Sequence, residues 1–445
     1  MKKKIFLFIV LFFIILTYPK AENIINYDWS FNKTNYNYGY GLNNVLIVNN
    51  KYLTWHIDKE NFNNIITIYS ESGNVLTSFE PEIENPIVDI IYYDNNYIAI
   101  DKLGTIYKLD KDFKIIRSIT NSEKNPIIND KSELKISQNT IYYIDKINNN
   151  IFSTDYQLNN YKYYTLSNKN TIEQILTSIP FLNEADKIYF SYLENNEDVI
   201  ITDIFENNSF YYITSYNKKD TDLKSSLKLV DENLNVIWED TYNDLIPINV
   251  LQFKDYIFVL STSPENQNYN IKVYNKEHHL INEEIIKLKD KNAIPISFIA
   301  DDRNLLIKSI IYKAEKVLTL DIAENYSEII IDKYNIKLFN IKSVIKGEGT
   351  IEVDENAITG DLVKFKIIAK NGYKLEKLSI KDIDGNSLPL SDYTFKMPSS
   401  DVTITAIFVP ENPNTSDNIS NLILLFSISL VILIISIYKH KRCKI

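Results

Sequence analysis

An all-β chain is what this sequence predicts, and three observations predict it. Tyrosine alone occurs 32 times, and Phe, Trp and Tyr make up 13% of the 445 residues. With Ile and Val also abundant, such side chains fit pleated sheets and lose rotamer freedom in helices. From about Asn43 to Asn340, apolar or alternating runs of four to eight residues are separated by Asn-Asn, Asp-Lys and Asn-Lys pairs, the rhythm of short strands and turns. Within that stretch one unit recurs every ~40 to 50 residues, the period of a four-stranded propeller blade.

Taken in order, Met1 to Ala21 reads as a secretory signal. Lys2, Lys3 and Lys4 precede an apolar run from Ile5 to Leu16 that is too short to span a bilayer comfortably. Ala21 is a fair last residue of such a signal, although Pro19 stands where a small residue is favoured. Retention of the segment as an uncleaved anchor is the alternative.

Residues 22–342 are expected to form a β-propeller-like domain of about six or seven blades. The clearest copy of the unit is Ile87 to Ile119, read as strands Ile87–Tyr92, Tyr97–Asp101, Thr105–Asp110 and Lys114–Ile119. Asp198 to Tyr242 is a second copy, Ile271 to Ile286 repeats its closing half, and weaker copies start near Val45, Leu134, Asn249 and Pro295. The closing strand–Asp–turn–strand shape, with Trp238 at its last position, resembles the blade ends of bacterial quinoprotein-like surface propellers. Those blades are usually rich in glycine, whereas here only Gly39, Gly41, Gly73 and Gly104 precede residue 340. Asn is expected to take over the turns, because it tolerates positive φ better than most residues. A string of β-sandwiches is the alternative architecture, and Thr171 to Ser178 is the best candidate for a short helix.

Near Ser343 the composition changes, and five of the nine glycines fall between Gly347 and Gly385. Alternation puts Val363, Phe365 and Ile367 on one strand face, and Val402, Ile404, Ala406 and Phe408 on another. The runs Gly347 to Val353, Gly360 to Phe365, Asn371 to Leu375 and Tyr393 to Phe408 resemble the divergent internalin-type (InlB-like) B-repeat of bacterial surface proteins. The resemblance implies a small all-β domain over residues 343–409, used as a spacer or stalk outside the cell.

Residues 410–418 are expected to be an extended linker, since proline biases its neighbours away from helix. Within it NPNTSD, Asn412 to Asp417, resembles a variant sortase signal, which implies cleavage after Thr415. Asn412 and Ser416 stand where Leu and Gly are usual. Residues 419–438 carry no charge, and about 20 residues at ~1.5 Å each match the ~30 Å apolar thickness of a bilayer. A buried core helix is the alternative. The tail, residues 439–445, holds Lys439, Lys441, Arg442 and Lys444, which should stay cytoplasmic.

Charge narrows the function classes. The whole chain carries −10. Without the four N-terminal lysines and the four basic residues of the tail, 40 basic residues face 58 acidic ones, a net charge near −18. Such a surface repels nucleic acid. The single cysteine, Cys443, leaves no intrachain disulfide. The histidines are His56, His278, His279 and His440, and the adjacent pair would point to opposite faces of a strand. No metal, cofactor or catalytic constellation emerges. Asp382, Asp384 and Asn386 have the spacing of a calcium loop but lack its bidentate Glu, so turn chemistry around Gly385 is the stronger reading. Asp110, Asp112, Asp231 and Glu232 read as blade hairpins. Glu71, Asp89, Asp101 and Asp145 are the carboxylates that could line a central channel.

The expectation is a membrane- or wall-anchored surface protein that binds an extracellular protein or glycan without catalysis. A secreted propeller lyase or glycosidase, with paired carboxylates in its channel, is the first alternative, and an envelope scaffold the second.

Overall fold

The computed structural model describes residues 25–35, 45–58, 61–120, 133–145, 150–165, 179–196, 198–217, 224–263, 269–286, 288, 290, 292–301, 304–315, 324–411 and 415–442. The expected signal segment, Thr171–Ser178 and Asn412 lie outside them. The chain divides into two compact units, Met1–Lys337 and Leu338–Ile445.

The first unit holds six four-stranded antiparallel sheets among the described residues. Five follow the chain: β2–β5 (Val45–Val48, Lys51–Ile57, Asn64–Tyr69, Val75–Phe79) and β6–β9 (Ile87–Tyr93, Asn96–Asp101, Ile106–Leu109, Ile115–Ile119), then β10–β13 (Glu133–Ser137, Thr140–Asp145, Asn150–Asp155, Lys162–Thr165). Next come β14–β17 (Val199–Asn207, Phe210–Asn217, Lys224–Asp231, Val236–Asn243) and β18–β21 (Ile246–Phe253, Tyr256–Thr262, Tyr269–Tyr274, Leu280–Ile286). The sixth combines β22–β24 (Ile294–Ala300, Asn304–Glu315, Glu324–Ile336) with β1 (Ile25–Asn35), which pairs along β24 from Ile25↔Ile336 to Asn35↔Ser327. β1 lies ahead of the region in which strands were expected, and it closes the last sheet with the first stretch of described chain.

Two turn types recur among the sheets. The first hairpins are two-residue turns with positive φ at both positions, at Asn49-Asn50, Asp94-Asn95, Gln138-Asn139 and Asn208-Ser209. This is the type I′ geometry that matches strand twist, and Asn supplies it where glycine was missing. The last hairpins share another design. In Asp110–Lys114, Asp110 Oδ1 accepts from the N–H of Asp112 at 2.8 Å and of Lys114 at 2.9 Å. Asp231–Asn235 and Asn275–His279 repeat it. The fourth residue of each, and of the related Ser70–Asn74 and Asp155–Asn159 turns, has positive φ: Phe113, Leu234 and His278, and Gly73 and Leu158.

Cores form between neighbouring sheets. Leu53, Trp55 and Ile66 pack with Ile90, Ala99 and Phe113. Val88 and Ile98 pack with Ile141 and Phe152. Tyr212 and Leu227 pack with Ile257 and Tyr274. Between the third and fourth sheets lies a helix, α1 (Glu184–Asn195). Its Phe190 joins Tyr142 and Ile151 on one side, while Ile188 and Tyr192 join Tyr211 and Ile213 on the other. The ring closes where Leu306 and Ile331 of the sixth sheet pack on Val45, Tyr52 and Tyr69 of the first. There a Cβ on Gly73, whose φ is +81°, would sit 2.8 Å from Trp29 Cδ2. The absent side chain makes room for the indole, whose Nε1 donates to Glu71 O at 3.2 Å.

The second unit contains β25 (Phe339–Lys346), β26 (Gly349–Glu352), β27 (Asn356–Ala357), β28 (Leu362–Lys364), β29 (Lys366–Ala369), β30 (Tyr373–Asp382), β31 (Thr394–Lys396) and β32 (Val402–Pro410). Its main sheet has the order β27-β25-β32-β30, with β25 parallel to β32. Val402, Ile404, Ala406 and Phe408 are buried as alternation requires, in a core shared with Val363, Phe365, Phe395 and Met397.

α2 (Thr415–Arg442) follows. It begins inside the stretch expected to be an extended linker. From Leu422 to Ile437 its large apolar side chains are 51–70% exposed. Among the described residues no helix is long and apolar enough to cross a membrane. The expected span of residues 419–438 is therefore not supported among the described residues.

Candidate functional site

Two sets of side chains in the six-sheet unit go beyond ordinary core packing. The first stitches inner strands together. One-residue bulges interrupt β6, β14 and β18 just before Asp89, Asp203 and Asn249. A bulge re-aims the next side chain along the sheet edge. Asp89 Oδ2 accepts from Leu134 N–H at 2.9 Å, and Asp203 Oδ2 from Val250 N–H at 2.9 Å. Asn249 Oδ1 accepts from Phe298 N–H at 3.0 Å. Each satisfies a donor on the first strand of the following sheet. Burial pushes the Asp89 carboxyl up to about 8, opposed by the Leu134 and Ile90 N–H groups and the nearby Lys308 charge.

The second set is an aromatic and charged patch where the fourth and fifth sheets meet. Trp238 stacks on His278 with ring centroids 4.9 Å apart and touches Tyr274 edge-on at 5.3 Å. Tyr212 OH lies 2.9 Å from His278 Nε2. Tyr242 and Tyr274 hydroxyls are 2.8 Å apart, and Tyr274 donates to Asp240 Oδ2 at 2.5 Å. Lys272 Nζ sits 3.3 Å from the same oxygen and 4.1 Å over the Tyr242 ring. Burial, with the neighbouring Asp240 charge, holds both tyrosines protonated. Burial also pulls His278 below its ordinary value. Exposed Val236, Ile237 and Leu280 flank the patch. The arrangement combines a half-buried indole and a paired Lys–Asp with an exposed apolar margin, above the buried Tyr242 and Tyr274.

Of the four carboxylates that could line a channel, three have described side chains, and these are engaged separately. Glu71 is exposed at a hairpin. Asp101 is fully buried but committed: Oδ1 accepts from Leu103 and Thr105 N–H, Oδ2 from Tyr107 OH at 2.9 Å. Asp89 is bound as described above, and the side chain of Asp145 lies outside the described residues. His278 and His279 sit in a turn, not on a strand, because the Asn275 hairpin recruits them. His56 is on β3, and the His440 side chain lies outside the described residues. Among the described residues no group of three or more His, Cys, Asp or Glu is placed to hold a metal. Sequence singled out Trp238 as a blade-end residue and His278 as one of an adjacent pair, but not their contact, which depends on how the fourth and fifth sheets pack.

In the second unit, Asp382 accepts from Asn386 N–H at 2.8 Å and from Asn386 Nδ2 at 2.9 Å, with Gly385 at φ +85°. These atoms are engaged in a turn. Gly347 is required by contact: a Cβ there would lie 2.1 Å from Phe408 O. Thr415, the residue singled out for cleavage, is the first residue of α2.

Residues 339–412 match the divergent InlB B-repeat domain. The B-repeat thus covers β25 to β32 and stops short of α2. No curated protein matches the chain. Among solved structures, BamB from Moraxella catarrhalis is similar at 8% identity over 70% of this chain and 99% of that one, with a TM-score of 0.37. The AfRom2 CNH domain is similar at 12% over 69% and 98%, TM-score 0.38. The C-terminal WD40 domain of Sif2 is similar at 8% over 70% and 83%, TM-score 0.36. The propeller-like assignment rests on the sheet order itself.

Proposed function

We propose that this chain is a membrane-attached bacterial surface protein that presents a propeller-like binding head outside the cell, with the B-repeat as spacer and no catalytic role. The observation that carries the reading is the exposed apolar surface of α2. Sixteen consecutive residues from Leu422 to Ile437 carry no charge, and their large apolar side chains are exposed. Water is a costly environment for such a surface at ~25 cal/mol per Å², and the basic residues Lys439, Lys441 and Arg442 suit an anionic headgroup layer beside it. The B-repeat match supports a surface setting. The Trp238 patch is the part of the head proposed to meet a protein or glycan.

Cell fractionation tests this. The full chain should sediment with membranes and stay there after a high-salt wash, while a chain ending at Glu411 should be released as soluble folded protein. Full-length chain in the soluble fraction would overturn the proposal.

A further inference from the structure

One partly buried constellation is used by neither the binding patch nor the anchor. Glu133 and Lys135 alternate on β10 and so share a face, and the β10–β11 register sets Tyr142 directly opposite Lys135. α1 brings a fourth group. Its Asn183 cap accepts from Asp186 N–H at 2.8 Å, holding Asp186 in the first turn. The four side chains meet. Lys135 Nζ is 2.7 Å from Asp186 Oδ1 and 3.3 Å from Glu133 Oε2. Tyr142 OH donates to the other oxygen, Asp186 Oδ2, at 2.9 Å. Asp186 is 3% exposed and Tyr142 fully buried, with Phe181 and Phe190 in the surrounding cluster.

We infer that Lys135 and Asp186 join in an intramolecular amide cross-link, with Glu133 moving the protons. The geometry gives each group a task. Lys135 passes a proton to the Glu133 carboxylate, and its free amine attacks Asp186 Cγ, one bond beyond the oxygen it already touches. The Tyr142 hydroxyl stabilises the charge that develops on Oδ2. Glu133 returns a proton to Oδ1, and with the second amine proton that oxygen leaves as water. The Nζ–Cγ bond forms and the Cγ–Oδ1 bond breaks. An ammonium and a carboxylate become one secondary amide and one water, with no oxidant or cofactor. Holding nucleophile and acyl group in contact supplies the effective concentration that the condensation lacks in solution.

Burial is the largest influence on Lys135 and pulls it down, although the charges of Glu133 and Asp186 together leave it above its ordinary value. Transfer of one proton within the group removes opposite charges from an apolar site. Lys187–Glu184, Lys366–Glu352 and Lys370–Glu348, in contrast, lie at the surface.

The test is peptide mapping by mass spectrometry of the purified full chain. The expected product is a branched peptide joining β10 to α1, lighter than its two components by one water. It should be absent from Lys135→Arg. It should also be absent from Glu133→Gln, which removes only a part-exposed carboxylate and should keep the wild-type circular dichroism spectrum. Recovery of Lys135 and Asp186 in separate, unmodified peptides from folded wild-type protein would overturn the inference. An equal yield of branched peptide from Glu133→Gln would overturn the role given to Glu133.

Discussion

Asp89 and Asn249 take up equivalent N–H groups from one sheet to the next, one with a titrating side chain and the other without. That pair supplies its own control. Replacing Asp89 with Ala leaves a buried N–H unsatisfied and should cost ~1–3 kcal/mol, whereas Asp89→Asn should retain most of the stability. The pH dependence has a definite sign. A carboxyl raised from 3.8 to about 8 binds its proton more tightly in the folded state. Its contribution is present below the unfolded value and is lost as pH rises through the folded one. Thermal melts from about pH 5 to about pH 9 should therefore show a smaller fall in Tm for Asp89→Asn than for wild type. Parallel curves would count against it. His278 runs the other way. Its pKa is lowered from 6.5 by burial, so its contribution is present above that value and lost as pH falls through the folded one. Wild type should lose more Tm on acidification than His278→Gln, and an equal loss would contradict this.

At the scale of elements, the turns and caps carry the next predictions. Gly73 combines a positive φ with direct contact to the Trp29 ring. Gly73→Ala should cost ~1–3 kcal/mol, read from urea unfolding, and a neutral effect would mean the ring does not sit on that turn. Asn183→Ala removes the α1 cap and should cost ~1 kcal/mol. The strands of the second sheet were legible almost to the residue, because alternation and Asn-rich turns leave a local signature. The same holds for β32, whose buried face is a run of every second residue. α1 was not legible. Its twelve residues, EADKIYFSYLEN, carry three aromatics in four positions, which favour strand when read locally. Only the Asn183 cap with acidic Glu184 and Asp186 behind it marked a helix start. β1 was missed for another reason. INYDWSFNKTN is too polar to announce a strand, and it becomes one by pairing with β24, some 300 residues away. The Trp238 patch was half legible: a tryptophan at a repeat end is visible, but its neighbours depend on sheet packing.

At the scale of the molecule, the ring of sheets gives the first unit a succession of cores between neighbouring sheets. Each sheet buries its faces against the next, and β1 ties the end of the ring to its beginning. Deleting residues 25–35 should expose the edge of β24 and convert a cooperative unfolding transition into an aggregating, non-cooperative one. The B-repeat, in contrast, has its own core around Phe365, Phe395 and Ile404. The central claim is that this head stands outside the cell on a chain held by α2. Protease added to intact cells measures it most directly. Peptides from the ring of sheets and the B-repeat should be released while a fragment containing α2 stays with the cells. If the head resists protease until the cells are lysed, the claim is contradicted.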